Sequence, residues 1–152
     1  MPDSLSDKDM KILNLVKENA RYTARQISEK TGIPITTIHN RIRTLEQEGV
    51  IRGYTAKLNR KKIGKPLQAF IHVEVEYILP GGNKLNQEEL ARKILKMPEV
   101  EECHIMAGTT DILIKVAVAD VEELNQFVIH RLRNLDGVVD TVTAIVLKDV
   151  SE

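Results

Sequence analysis

The sequence predicts an α+β chain in two parts. A head of three short helices fills residues 1–63, and a four-stranded sheet with two helices fills 64–152. Three observations lead there. Apolar residues recur at helical spacing through the first fifty residues, whereas from Leu67 strict alternation sets in. Cap and turn residues such as Gly32, Gly49, Pro98 and Gly108 fall where the periodicity breaks. Finally, 22 Lys/Arg balance 22 Asp/Glu overall, yet residues 1–65 hold 14 basic against 7 acidic and residues 66–152 hold 8 against 15. Such a split suggests two domains with different partners, the basic one a candidate for a polyanion; scattered solvated charges are the plainer alternative.

In the head, "LSDKDMKILNLVKENA" reads as a helix with Ser6 as N-cap, Asp9 at the capping-box position, and Leu5 and Met10 as a staple across the cap. Ile12, Leu13 and Val16 form its apolar stripe. "TARQISEKTG" repeats the logic with Thr23, Gln26 and a stop at Gly32. A third helix opens at Pro34 and ends at Gly49, with Ile35, Ile38, Ile42 and Leu45 on one narrow arc.

The opposite arc of that helix holds Thr36, Thr37, Asn40, Arg43, Thr44 and Gln47, with His39 beside them. These side chains donate and accept hydrogen bonds and none is acidic. Arg41 sits on the flank, where a phosphate contact and a structural ion pair are both open. A short helix, a glycine turn and a helix with an exposed polar face make a helix-turn-helix pattern, whose second helix suits the major groove of duplex DNA. "VIRGYTAKLNRKKIGK" then suggests a strand and turn, a wing carrying Arg52, Lys57, Arg60, Lys61 and Lys62 to grip phosphates. Aromatic residues are scarce here, which disfavours base stacking on single strands.

From Leu67, "PLQAFIHVEVEYIL" alternates Leu67, Ala69, Ile71, Val73, Val75 and Tyr77 with Gln68, Phe70, His72, Glu74 and Glu76. A helix follows, capped by Asn86 with Glu89 at the box position, then strands in "VEECHIMAG" and "DILIKVAVA". A helix capped by Asp120 points Leu124, Phe127, Val128 and Leu132 inward, and "GVVDTVTAIVLK" closes the set. Strand, helix, strand, strand, helix, strand is the ferredoxin-like βαββαβ order behind a winged head. The sheet face without helices, expected to include Phe70, Ile145 and Leu147, asks for a partner, and a second copy is the simplest. Two heads on a two-fold dimer would read half-sites about a helical turn apart.

Composition narrows the class. No apolar run exceeds four residues, so no membrane span is expected. The polar start is unlike a secretion signal, and the single Cys103 asks for no oxidising compartment, which points to the cytoplasm. His39, His72, His104 and His130 fit no common metal-ligand spacing, so neither a metal nor a cofactor is expected.

With "ARQISEKTGIPITTIHNRIRTLEQEGVIRGY", "AGTTDILIKVAV" and "GVVDTVTAIVLK" in this order, nearly the whole chain resembles the Lrp/AsnC family, the leucine-responsive or feast/famine regulators. The resemblance implies a homodimeric transcription regulator, often assembling to octamers, with an amino-acid-sensing (RAM/ACT-like) sheet domain. It implies that a small effector, usually an amino acid, binds between dimers near the loop Gly108, Thr109, Thr110 and Asp111, with Thr141 and Thr143 of the last strand contributing. Asp111 would accept from an ammonium while loop N–H groups and threonine hydroxyls take a carboxylate. Relatives often carry an aromatic where this chain has Thr110, and the loop also reads as a plain hairpin turn. Other readings are a siroheme-decarboxylase-type enzyme, as in some recruited relatives, and an architectural DNA-binding protein without effector.

Overall fold

The computed structural model describes residues 5–150. Internal contacts divide the chain between Lys57 and Leu58. The segment 58–63, expected to belong to the head, packs with the second unit instead. That shift matters for charge. Residues 1–57 carry 10 basic against 7 acidic side chains, net +3, and residues 58–152 carry 12 against 15, net −3. Much of the apparent polarity came from four cations, Arg60, Lys61, Lys62 and Lys65, that sit on the sheet unit.

The head holds α1 (Asp7–Glu18), α2 (Ala24–Thr31) and α3 (Ile35–Gln47). Both expected capping boxes form. The Ser6 hydroxyl accepts from the Asp9 N–H at 3.2 Å while the Asp9 carboxylate accepts from the Ser6 N–H at 3.0 Å. Thr23 and Gln26 pair likewise. Gly32 stops α2 in the left-handed region at φ 72°, a conformation glycine adopts without Cβ strain. Ile12, Ile27, Ile33 and Ile38 make the core, with Leu15, Val16 and Ile42 packed around them.

Three local expectations need correction. Pro34 is the N-cap of α3 rather than its first residue. Ile35 is 43% exposed, and Ile33 fills the core in its place. At 100° per residue Ile35 lies about 60–80° from Ile38 and Leu45, at the rim of the apolar arc. Leu5 and Met10, the expected staple, are 39% and 45% exposed. The strand expected in the segment after α3 is not paired among the described residues. Residues 50–58 run without strand pairing, because a strand needs a neighbour to complete its ladder and no described segment supplies one.

The second unit contains β1 (Leu67–Val75), α4 (Gln87–Leu95), β2 (Val100–Ile105), β3 (Ile112–Val118), α5 (Val121–Gln126) and β4 (Val138–Ile145). All pairings are antiparallel in the order β2-β3-β1-β4. Ala69, Ile71, Val73 and Val75 of β1 and Ile112, Ile114, Val116 and Val118 of β3 face Leu90, Ile94, Leu124, Phe127, Val128 and Leu132 from the helices. The register pairs His72 with Leu113 and Val142, so these share the open face with Phe70 and Glu74. Ile145 pairs with Ala69 and therefore belongs to the helix side, and Leu147 lies beyond the end of β4, contrary to expectation. Tyr77 likewise falls past the end of β1 and is exposed.

The last helix is not uniform. After α5 the chain widens into a π-helix, Phe127–Leu132, closed by a bond from the Arg133 N–H to the Val128 carbonyl at 3.0 Å. The five-residue step from Phe127 to Leu132 keeps both inward, which this wider turn permits. Asn86 caps α4 as expected, but Glu89 pairs with Lys93 instead of completing the box.

Candidate nucleic-acid interface and ligand site

The exposed arc of α3 is an uncommitted polar face. Thr36, His39, Asn40 and Arg43 are exposed, and among the described residues their side chains make no hydrogen bond or ion pair. Thr37 and Thr44 are half-buried, and the Thr44 hydroxyl donates back to the Asn40 carbonyl at 2.9 Å. Ile38 and Leu45, both fully buried, fix the helix from behind. A rod held by its apolar stripe, with free amide, guanidinium and hydroxyl groups outward, can present donors and acceptors to base edges without first breaking bonds of its own.

Arg41 is not part of that face. Its Nε donates to Asp9 Oδ1 at 2.6 Å and its Nη2 to Oδ2 at 2.9 Å. Asp9 is 1% exposed. Hydrogen bonds from Arg41, and less so from Ser6, outweigh burial and hold the Asp9 carboxyl down to about 2. Of the two roles left open for Arg41, the structural ion pair is the one formed: its charge joins α1 to α3.

Arg52 and Lys57 stand exposed on the extended segment after α3. The Tyr54 hydroxyl donates to Glu46 at 2.7 Å and ties that segment to the end of α3. Burial and the Glu46 carboxylate push the Tyr54 hydroxyl up to about 12. Arg60, expected among the phosphate contacts, is bound to Glu101 at 3.0 Å in the second unit. Lys61 and Lys62 are exposed in a turn of that same unit, outside the head.

In the sheet unit a cavity of about 310 Å³ opens beside the β2–β3 loop, lined by His72, Glu74, Thr109, Thr110, Asp140 and Thr141 with Val73 and Val142. The Thr110 hydroxyl and His72 Nδ1 lie 3.0 Å apart. Of the residues expected at an effector site, Thr109, Thr110 and Thr141 line this cavity, while Gly108, Asp111 and Thr143 are not part of the lining. Asp111 is spent locally. Its carboxylate accepts from the Tyr77 hydroxyl at 2.6 Å and from the Val75 N–H at 2.9 Å, pinning the loop to the end of β1. The Tyr77 hydroxyl is raised by that bond. Thr141 is buried, and its hydroxyl accepts from Arg133 Nε at 2.8 Å. The cavity also uses His72, Glu74 and Asp140, which the sequence reading did not assign to it. Alternation puts His72 and Glu74 on one face, but only the pairing of β1 with β4 brings Asp140 opposite Glu74. The four histidines lie on separate elements, His104 beside Glu102 at 3.3 Å and His130 exposed on the π-helix.

Among the described residues no helix is long and apolar enough to cross a membrane. A family model described as the Lrp/AsnC ligand binding domain matches residues 68–152, and one described as winged helix-turn-helix DNA-binding matches residues 5–52. An uncharacterised HTH-type transcriptional regulator of Pyrococcus horikoshii is 39% identical over 152 residues, covering 100% of this chain and 99% of its own length. The leucine-responsive regulatory protein of Haemophilus influenzae is 36% identical over 144 residues, 95% of this chain and 84% of its own. Among solved structures, a transcriptional regulator of Neisseria meningitidis in complex with L-Met superposes with a TM-score of 0.87 at 31% identity, covering 97% of this chain and 92% of that one. Matched in both units and along its whole length, the chain belongs to the Lrp/AsnC family of transcriptional regulators.

Proposed function

We propose that this regulator reads duplex DNA through Thr36, His39, Asn40 and Arg43 of α3, with Thr37 and Thr44 at the edge of the contact. Arg52 and Lys57 hold phosphates. The observation that carries the reading is the uncommitted polar arc of α3, backed by a fully buried stripe. The protein works as at least a dimer, its copies meeting through the open sheet face around Phe70, Leu113 and Val142, and it acts in the cytoplasm where its DNA lies. It is a binding protein and not a catalyst.

A small effector, an amino acid by the chemistry of the site, binds beside Thr109, Thr110 and Thr141. Two facts support this: the matching family model describes a ligand-binding domain, and the Neisseria relative was solved with L-Met. His72 joins Thr110 in the polar wall, while Asp111 holds the loop in shape rather than meeting the ligand.

Equilibrium binding to labelled duplexes tests the first part. Asn40→Ala or Arg43→Ala should lose about 1–3 kcal/mol on a specific site and little on random sequence. Equal losses on both would reject base reading. Calorimetry with single amino acids tests the second. At least one should bind the wild type and fail to bind Thr110→Ala; unchanged affinity in that variant would misplace the site.

A further inference from the structure

The turn Asn59–Lys65 leads from the head into β1, and its attachment to the sheet unit is polar. Leu58, just before it, and Ile63, within it, are 60% and 51% exposed and anchor little. Arg60 instead makes a two-pronged bond to Glu101, Nε to Oε1 at 3.1 Å and Nη2 to Oε2 at 3.0 Å. Lys65 Nζ donates to the Pro98 carbonyl at 2.9 Å. The Gln68 amide, turned so that its oxygen faces the guanidinium, accepts from Arg60 Nη1 at 2.7 Å. Within the turn, the Asn59 side chain accepts from the Lys62 N–H at 3.1 Å and the Arg60 carbonyl accepts from the Lys65 N–H at 2.9 Å. One closed turn is not stable on its own, so it needs its anchor. The receiving stretch, Pro98 to Glu101, is itself braced by a bond from Arg131 of the π-helix to the buried Glu99.

We propose that this turn is a latch. Closed, it fixes where the link to the head leaves the sheet unit, and so fixes which spacing of DNA half-sites a pair of heads accepts. This rests on the duplex-reading function proposed above. Opening would free residues 58–65. Eight residues of flexible chain span roughly 16 Å in root-mean-square terms, at about 5–6 Å times the square root of their number. Half a helical turn of DNA is about 17 Å. The slack is thus enough to let a head reach the opposite phase of the duplex. Charge holds the latch, so charge reversal should open it and exchange of the two charges should close it again.

The test uses the full chain as Arg60→Glu, as Glu101→Arg and as the pair together, with Arg60→Gln as a milder variant against misfolding. Amide hydrogen exchange over 58–65 reports the latch. Affinity for duplexes whose half-sites are moved by half a turn reports its consequence, and a single half-site serves as reference. Each reversal should speed exchange in 58–65, leave single-half-site affinity as it was, and lower the in-phase preference by about tenfold through the changed effective concentration. Arg60→Gln should do the same to a smaller degree, and the exchanged pair should restore both readouts. Intact single-site binding with an unchanged phase preference in both reversals would overturn the latch alone. Failure of the wild type to bind any duplex would overturn the reading on which it rests, and the latch with it.

Discussion

Asp9→Asn removes one charge and almost no volume from the join between α1 and α3, so it isolates what that ion pair contributes. The carboxylate is 1% exposed and held down to about 2, chiefly by Arg41 and then by Ser6. An unfolded aspartate titrates near 3.9, so the shift of nearly two units is worth about 2.5 kcal/mol at neutral pH. The Arg41 side chain is 37% exposed, and water competing for it brings the figure to about 1.5–2.5 kcal/mol. Because the folded value is the lower one, this stability is fully present above about pH 5 and drains away as the pH falls toward 2. Amide exchange in α1 and α3 peptides, measured at several pH values against β1 and β3 peptides, reads the effect in one unit alone. The variant should lose protection in the head at pH 7, by roughly 10- to 60-fold at about 1.4 kcal/mol per decade. It should draw level with the wild type by the lowest pH. Parallel wild-type and variant profiles across the acid range would refute the assignment of that energy to Asp9.

Other substitutions sort charge that holds the fold from charge that holds DNA. Arg41→Ala should weaken head protection yet leave the salt dependence of DNA binding as in the wild type; a slope reduced by about one would return Arg41 to the phosphate contacts. Lys57→Ala should lower affinity for every duplex alike and flatten that slope by about one, and an unchanged slope would remove it from the interface. Gly137→Ala should destabilise the sheet unit by about 1–2 kcal/mol, since φ is 93° there and a Cβ would stand 2.7 Å from Leu85 Cδ1. The leucine can move but the backbone angle cannot, and a variant melting at the wild-type temperature would disprove the strain.

What the sequence disclosed was local or periodic. Ser6, Thr23, Asn86 and Asp120 announced helix starts because a cap is a contact over three residues. Alternation from Leu67 announced β1, because facing is decided residue by residue along one strand. What stayed hidden needed a partner distant in the chain. Arg41 lies 32 residues from Asp9, so its choice between protein and phosphate was open until α1 was placed beside α3. Arg60 and Glu101 are 41 apart, and their pairing moved four cations off the head. Val50, Ile51 and Tyr54 have strand character but no described neighbour to pair with, so the strand expected there stays unpaired. The cavity beside Thr110 combines β1, the β2–β3 loop and β4, and only the register showed that Asp140 reaches it while Thr143 does not. The π-helix left one trace, the five-residue step between Phe127 and Leu132, which reads equally well as an ordinary stripe.

Selection of bound duplexes from a random pool, with and without a mixture of amino acids, is the most direct measurement. A paired reader that uses the free face of α3 should return two related half-sites about one helical turn apart. It should lose base preference at individual positions when Asn40 or Arg43 is replaced by Ala. Enrichment of no motif, or of the same motif by the wild type and both variants, would contradict it.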